Sequence, residues 1–138
     1  MAKLETLCPC GNNKAYSDCC GLYVDGREAA PSAEALMRSR YTAYTLLRED
    51  YLLATWHAST RPEKLGLADE APSKWLGLQV KRHERKDADN ARVEFVARYK
   101  INGRAFRLHE LSSFVREAGQ WFYVDGDIQE GAEKNQGS

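Results

Sequence analysis

Length, composition and charge restrict this chain to one compact domain with a small appendage. Its 138 residues are 43% hydrophobic and 29% charged, and 20 basic side chains balance 20 acidic ones. The chain is too short for two full domains, and the balanced charge argues against a dedicated nucleic-acid-binding protein, which is usually strongly basic. No window approaches the roughly 18 apolar residues of a membrane span, and the first residues lack the apolar run of a secretory signal. We therefore expect a cytoplasmic protein whose thiols stay reduced.

The first 20 residues contain every cysteine of the chain, in the pattern C-x-C-x8-C-C formed by Cys8, Cys10, Cys19 and Cys20. Four thiolates complete a tetrahedral shell that suits zinc and leaves no open position for a substrate. Two disulfides or a redox-active thiol site are the alternatives. A reducing compartment and tight spacings disfavour the first, and the lack of a C-x-x-C motif disfavours the second. The pattern favours one structural zinc ion, whose binding would supply most of the folding free energy of this segment.

The same segment resembles a known zinc-binding motif. Its pattern C-P-C-G-x-x-K-x-Y-x-x-C-C, from Cys8 to Cys20, is similar to the SEC-C motif at the C-terminus of the bacterial preprotein translocase ATPase. The resemblance implies that the four cysteines are the metal ligands. It also implies that Lys14 and Tyr16 belong to an exposed surface that faces a protein partner.

Helical periodicity follows the cysteine segment and a short linker. Ser32 is a plausible N-cap, and apolar residues recur at positions 33, 36, 37, 41, 44 and 47, which predicts a helix with one buried stripe. Arg40 lies on or beside that stripe. A second helical stretch runs from about Glu49 to Trp56 and ends before His57.

From Trp75 onward the apolar period changes to two, which predicts strands. Asn102-Gly103 is a strong type I′ hairpin signal. The register that it sets places Ile101 opposite Arg104 and Phe95 opposite Glu110, so Glu110 aligns with an apolar face. A buried carboxylate needs a partner or a raised pKa, and Arg40 is the natural partner. The alternative is a strand that bulges or frays before Glu110 and leaves this side chain solvated.

The last hairpin is less well specified. Its loop is either Ala118-Gly119 or residues 117–119, and its second strand runs from Trp121 to Val124 before the turn residues Asp125-Gly126-Asp127. Helices followed by an antiparallel meander predict an α+β fold.

The order of these elements resembles an NTF2-like cone, in which N-terminal helices pack on a curved antiparallel sheet. The combination with a SEC-C knuckle is similar to the YchJ family. The matching blocks are Met37–Tyr44, Tyr51-Leu52, Thr55–His57, Trp75–Leu78, Val93–Arg98 and Gly119–Gly126. We predict a zinc-binding motif at residues 1–24, an NTF2-like domain at 25–128 and a disordered tail at 129–138.

Two functions follow from this organisation as hypotheses. The first is an interaction module whose zinc knuckle binds a protein partner, as the resemblance implies for secretion, chaperone or ribosome-associated processes. The second is a small-molecule-binding or enzymatic domain that uses a pocket between the helices and the sheet, with Arg40, His57 and Glu110 as its polar groups. No spacing specifies a catalytic set, although a His57–Glu110 dyad is conceivable, so an enzyme is the less favoured interpretation. The full set of pocket candidates is Arg40, Tyr44, Trp56, His57, Trp75, Phe95, Glu110 and Tyr123.

Overall fold

The computed structural model describes residues 7–67 and 73–129 of the chain. Apart from Gln129, the predicted disordered tail lies outside the described residues. A 3₁₀ turn (Tyr16–Asp18) precedes the helices α1 (Gly21–Val24), α2 (Ala33–Thr45) and α3 (Glu49–Ala54). The strands that follow are β1 (Ser73–Arg85), β2 (Asn90–Ile101), β3 (Arg104–Glu117) and β4 (Gln120–Ile128). They form one antiparallel sheet in the order β1-β2-β3-β4, which confirms the predicted α+β architecture. None of the described helices is long and apolar enough to cross a membrane.

Helix α2 is the central element of the packing. The Ser32 hydroxyl caps its N-terminus by accepting a hydrogen bond from the Ala35 amide at 3.1 Å, as the sequence predicted. The helix is buried on more than the predicted stripe, because small residues on its flank are buried too. Its buried residues are Ala33, Leu36, Met37, Ser39, Arg40, Tyr41, Thr42 and Ala43. One face packs on the sheet, and another contacts the cysteine segment through Arg38 and Thr42.

The β2–β3 hairpin has the register that Asn102-Gly103 predicted. Both turn residues have positive φ, 52° at Asn102 and 81° at Gly103, as a type I′ turn requires. Ile101 pairs with Arg104, and Phe95 pairs with Glu110. Because side chains alternate between faces, Glu110 lies on the same side of the sheet as buried Phe95. The strand neither frays nor bulges before Glu110.

The prediction for the last strand was too short. The loop of the last hairpin is Ala118-Gly119, with Glu117 paired to Gln120, and β4 continues through the Asp-Gly-Asp segment to Ile128. A register shift beside Ser113 and Phe114 accommodates the extra residue on β4. Gly126 lies in the strand opposite Ser112. This position requires glycine, because a β-carbon there would collide with the Glu110 carboxylate. Gly126, which the sequence suggests is a turn residue, therefore belongs to a strand and leaves room for the Glu110 carboxylate.

Candidate functional site

The four cysteines converge into one buried cluster. Their Sγ atoms all lie within 4.8 Å of one another, and those of Cys10 and Cys19 are 3.6 Å apart. A tetrahedral site with metal–sulfur bonds of about 2.3 Å separates its sulfur atoms by about 3.8 Å. All four residues are buried free thiols. The cluster could therefore bind a metal with only small adjustments of its side chains.

Local backbone structure brings the two cysteine pairs together. The Cys8 amide donates to the Lys14 carbonyl at 2.7 Å, and the Gly11 amide donates to the Cys8 carbonyl at 3.2 Å. Gly11 has a φ of 85°, which glycine adopts at no steric cost. The chain turns back sharply after Cys10 and then enters the 3₁₀ turn that leads to Cys19.

The cluster is anchored to α2 by two side chains. The Thr42 hydroxyl lies 3.6 Å from the Cys8 sulfur, and the Arg38 guanidinium donates to the Cys10 carbonyl at 2.9 Å. Hydrogen bonds from Cys10, and then from Cys20, lower the pKa of the Cys8 thiol. The cysteines belong to the same hydrophobic core as the sheet residue Phe114, so this segment is packed onto the domain that follows it.

Lys14 and Tyr16 occupy different environments. Lys14 is exposed on the loop between the cysteine pairs. Tyr16 is partly buried, and its hydroxyl donates to Asp25 at 3.3 Å. The Tyr16 ring and carbonyl lie against Gly21, where a β-carbon would approach that carbonyl oxygen to 2.6 Å. Of the two, Lys14 is the more accessible to another molecule.

A cavity of about 280 Å³ lies between part of α2 and the concave face of the sheet. Six of the eight predicted pocket residues line it: Arg40, Tyr44, Trp75, Phe95, Glu110 and Tyr123. Six further residues line the cavity that the sequence pattern did not predict: Met37, Tyr41, Ala97, Leu108, Ser112 and Phe114. Three of them could have been found from the sequence. Side chains of β3 alternate between the two faces of the sheet, so Leu108, Ser112 and Phe114 lie on the same face as Glu110.

Arg40 forms one wall of the cavity and is only 6% exposed. Its Nη1 atom donates to the Leu52 carbonyl and to the Thr55 hydroxyl, both at 2.8 Å. The guanidinium carbon lies 4.5 Å from the centroid of the Tyr123 ring, a cation–π contact. Burial lowers the pKa of Arg40, but a guanidinium remains charged in proteins. The cavity therefore contains a fixed positive charge.

Glu110 supplies the carboxyl group of the cavity. Its Oε2 atom accepts hydrogen bonds from Ser112 at 2.7 Å and from the Tyr123 hydroxyl at 3.5 Å. Burial raises the pKa of Glu110, although these two bonds and the charge of Arg40 act in the opposite direction. The expected direct ion pair between Arg40 and Glu110 is absent from the described residues. The two groups instead face the same cavity without contact.

Trp56 and His57 do not line the cavity. The backbone from Thr55 to His57 runs along the edge of β4, with the His57 amide donating to the Tyr123 carbonyl at 2.7 Å. The Trp56 ring packs against Arg40, 5.0 Å from its guanidinium carbon, and its centroid lies 5.0 Å from that of the Tyr123 ring. His57 Nε2 lies 2.8 Å from Glu117 Oε2. The conceivable His57–Glu110 dyad is therefore not formed, because the last hairpin brings Glu117 to this histidine.

Comparison with known proteins identifies the family. A family model described as the YchJ middle NTF2-like domain matches residues 32–126. The UPF0225 protein of Polaromonas naphthalenivorans is 56% identical over 136 residues, covering 90% of this chain and 98% of its relative. The UPF0225 protein of Bordetella pertussis is 56% identical over 124 residues, covering 88% and 92%.

Two solved structures are similar to this chain over most of its length. The solution structure of a SEC-C motif containing protein from Rhodopseudomonas palustris superposes with a TM-score of 0.80 at 35% identity, covering 89% of this chain and 98% of the other. The crystal structure of a SEC-C motif containing protein from Psychrobacter arcticus gives a TM-score of 0.74 at 30% identity, covering 90% and 83%. The fold of this chain thus recurs in proteins described as containing a SEC-C motif. With the family model and the relatives above, the chain belongs to the YchJ family.

Proposed function

We propose that this protein binds a small molecule in the cavity between α2 and the sheet. The cavity of about 280 Å³ carries the proposal. Protein interiors are close-packed, with few voids larger than a water molecule, and a water occupies roughly 30 Å³. The cavity lies just below the usual range of about 300–1,000 Å³ for ligand pockets. Apolar walls with a few converging polar groups are also typical of such pockets.

A cavity-filling variant tests this proposal. Leu108→Trp places a larger side chain on the concave face, where Leu108 lines the cavity. Leu111→Trp is its matched control, because Leu111 lies on the same strand but faces the opposite side of the sheet. A ligand found by thermal-shift screening should stabilise the wild type and Leu111→Trp but not Leu108→Trp. A ligand that stabilises all three proteins equally binds elsewhere and contradicts the proposal.

For the cysteine cluster we propose one structural zinc ion. Four buried thiols with no open position favour a structural role over a catalytic one. Zinc supplies the charge compensation that four thiolates need in a buried site. Metal analysis under reducing conditions should find one zinc per chain, and a metal-free protein with two disulfides would refute this assignment.

A second candidate function is binding of a protein partner through the knuckle. Its support is the exposed loop of residues 11–14 between the cysteine pairs, which presents Lys14 to solvent. In a pull-down, Lys14→Glu should lose the partner, whereas Lys74→Glu, which changes an exposed lysine on β1, should retain it. If both variants retain the same proteins, the knuckle loop is not the binding surface. This proposal extends to adaptor roles in secretion, chaperone or ribosome-associated processes.

A further inference from the structure

The polar and apolar walls of the cavity lie at different positions along the strands. Ala97 pairs with Leu108 beside the Trp75–Tyr99 pair, which makes this end apolar and aromatic. Two residues further along β3, Glu110 and Ser112 form a polar end with Arg40, and Phe95 and Phe114 are its apolar neighbours on the cavity wall. A ligand that contacts both ends needs an apolar body and a polar head group.

Arg40 still has donors to offer to such a head group. A guanidinium carries five N–H groups, and both hydrogen bonds that Arg40 donates to described residues leave from Nη1. The Nε and Nη2 hydrogens therefore remain for a ligand in the cavity that Arg40 lines. The positive charge of the guanidinium disfavours a cationic ligand and favours an anionic one.

Glu110 is held so that one carboxyl oxygen is occupied and the other is not. Ser112 and Tyr123 both donate to Oε2, and the same oxygen lies over Gly126. No described residue donates a hydrogen bond to Oε1, and no buried side-chain oxygen of the described residues lacks a partner. Oε1 therefore retains accessible surface on a residue that lines the cavity.

We infer, on the basis of the proposed ligand-binding function, that the cavity takes a compact aromatic monocarboxylate whose carboxylate lies between Arg40 and Glu110 and whose binding is accompanied by protonation of Glu110. The aromatic body fits the end formed by Trp75 and Leu108. The carboxylate accepts from the Arg40 guanidinium and from the protonated Glu110.

Charge balance requires the proton. Without a ligand, ionised Glu110 and Arg40 give the cavity a net charge of zero. A bound carboxylate with Glu110 still ionised would leave two negative charges against one positive charge, which is costly in a desolvated site. Uptake of one proton by Glu110 restores neutrality and turns its carboxyl group into a donor. A neutral ligand requires no proton, and a cationic ligand would add to the charge of Arg40.

The groups around Glu110 favour this proton uptake. Burial is the main cause that raises the pKa of Glu110, and the negative charge of Asp127 on β4 acts in the same direction. The hydrogen bonds from Ser112 and Tyr123 and the charge of Arg40 on α2 lower it. The other titratable groups on the cavity wall are the hydroxyls of Tyr41 and Tyr44 on α2 and Tyr123 on β4.

Calorimetry with matched probes tests the inference on the full chain. Benzoate is the carboxylate probe, benzamide the neutral isostere and benzylamine the cationic one. At about pH 6 we expect benzoate to bind wild-type protein at least about tenfold more tightly than either control. Its affinity should fall toward pH 9, approaching about tenfold per pH unit, because binding takes up a proton. In Glu110→Gln, which cannot titrate but still offers a donor, the benzoate affinity should not change with pH.

The outcomes separate this inference from the proposed function. Benzoate binding that is lost in Leu108→Trp but kept in Leu111→Trp, with the expected pH profile, supports both. Tighter binding of benzamide or benzylamine in the cavity overturns the inference and leaves the proposed function standing. A wild-type affinity that stays level between about pH 6 and pH 9, or falls equally in Glu110→Gln, overturns the role of Glu110. No benzoate binding at millimolar concentration overturns the inference.

Discussion

Thr42→Val tests how the cysteine cluster is connected to the rest of the protein. Thr42 is completely buried (0% exposed), and its hydroxyl lies 3.6 Å from the Cys8 sulfur. Valine has nearly the volume of threonine, so the substitution removes the hydroxyl without opening a cavity. Both residues are β-branched and have similar helix propensities. The variant therefore isolates the hydrogen bond to sulfur.

The expected loss is one buried hydrogen bond to a charged acceptor. With the proposed zinc ion bound, the cysteines would be thiolates, and hydrogen bonds to charged groups contribute about 1.5–3 kcal/mol. Each 1.4 kcal/mol corresponds to about a factor of ten in an equilibrium constant. Thr42→Val should thus lower the zinc affinity by about 10- to 100-fold, which is the range found for groups that hydrogen-bond to metal ligands.

Competition between the protein and a chromophoric zinc chelator measures this change directly. Thr45→Val is the matched control, because Thr45 lies on the same helix and, among the described residues, its hydroxyl bonds to the Thr42 carbonyl alone, at 2.7 Å. Thr42→Ser should retain most of the affinity, since it keeps the hydroxyl. If Thr42→Val and Thr45→Val bind zinc with affinities within about twofold of each other, the hydroxyl does not support the metal site.

Four further substitutions have defined expectations. Wild-type protein should lose stability as pH rises from the ordinary carboxyl value of 4.5 through the raised pKa of Glu110, because the native state holds that proton longer, and Glu110→Gln should remove this contribution; parallel pH profiles of the two proteins in thermal unfolding would contradict this. Gly126→Ala should cost about 1–3 kcal/mol in urea unfolding, since its β-carbon collides with the Glu110 carboxylate, and an unchanged midpoint would mean that the carboxylate moves freely. Ser32→Ala should lower the free energy of unfolding by about 1 kcal/mol, because α2 loses its N-cap; an unchanged free energy of unfolding would show that water replaces the cap at the Ala35 amide. Ala118→Gly should raise the free energy of unfolding by up to about 1 kcal/mol, because Ala118 has a φ of 52° that glycine adopts without strain; a lower free energy of unfolding would show that Ala118 is not strained in this turn.

The sequence was most informative where local chemistry determines long-range geometry. The dipeptide Asn102-Gly103 sets the turn type, and the turn type sets the register of the whole β2–β3 hairpin. The position of Glu110 opposite Phe95, on the concave face, follows from that register alone. The cysteine cluster was equally predictable, because four thiols within 13 residues have few chemical roles, and a shared metal ion is the one that uses all four.

Prediction failed where a residue's role depends on a contact from another element. Asp125-Gly126-Asp127 has the composition of a turn, and only the approach of the Glu110 carboxylate explains a glycine within a strand. The sequence suggests His57 as a pocket residue, because nothing in it indicates that Glu117, 60 residues away, contacts this histidine. The loop Ala118-Gly119 brings Glu117 within 2.8 Å of it, and the sequence allowed a different loop.

The missed contact of Thr42 has a signal that helical periodicity alone does not use. An amphipathic helix that packs on one surface buries a single stripe, but α2 also buries Ser39, Thr42 and Ala43. A run of small residues beside an apolar stripe indicates a second surface that approaches the helix closely. Here Thr42 contacts the cysteine knuckle and Ser39 contacts Tyr51 of α3, while Arg40 and Tyr44 of the same helix line the cavity. Because one rigid helix of 13 residues contacts both sites, a shift of α2 that follows metal loss would displace the guanidinium of Arg40 as well. Chelation should therefore weaken ligand binding in the cavity, and binding that is unaffected by chelation would show that α2 keeps its position without the metal.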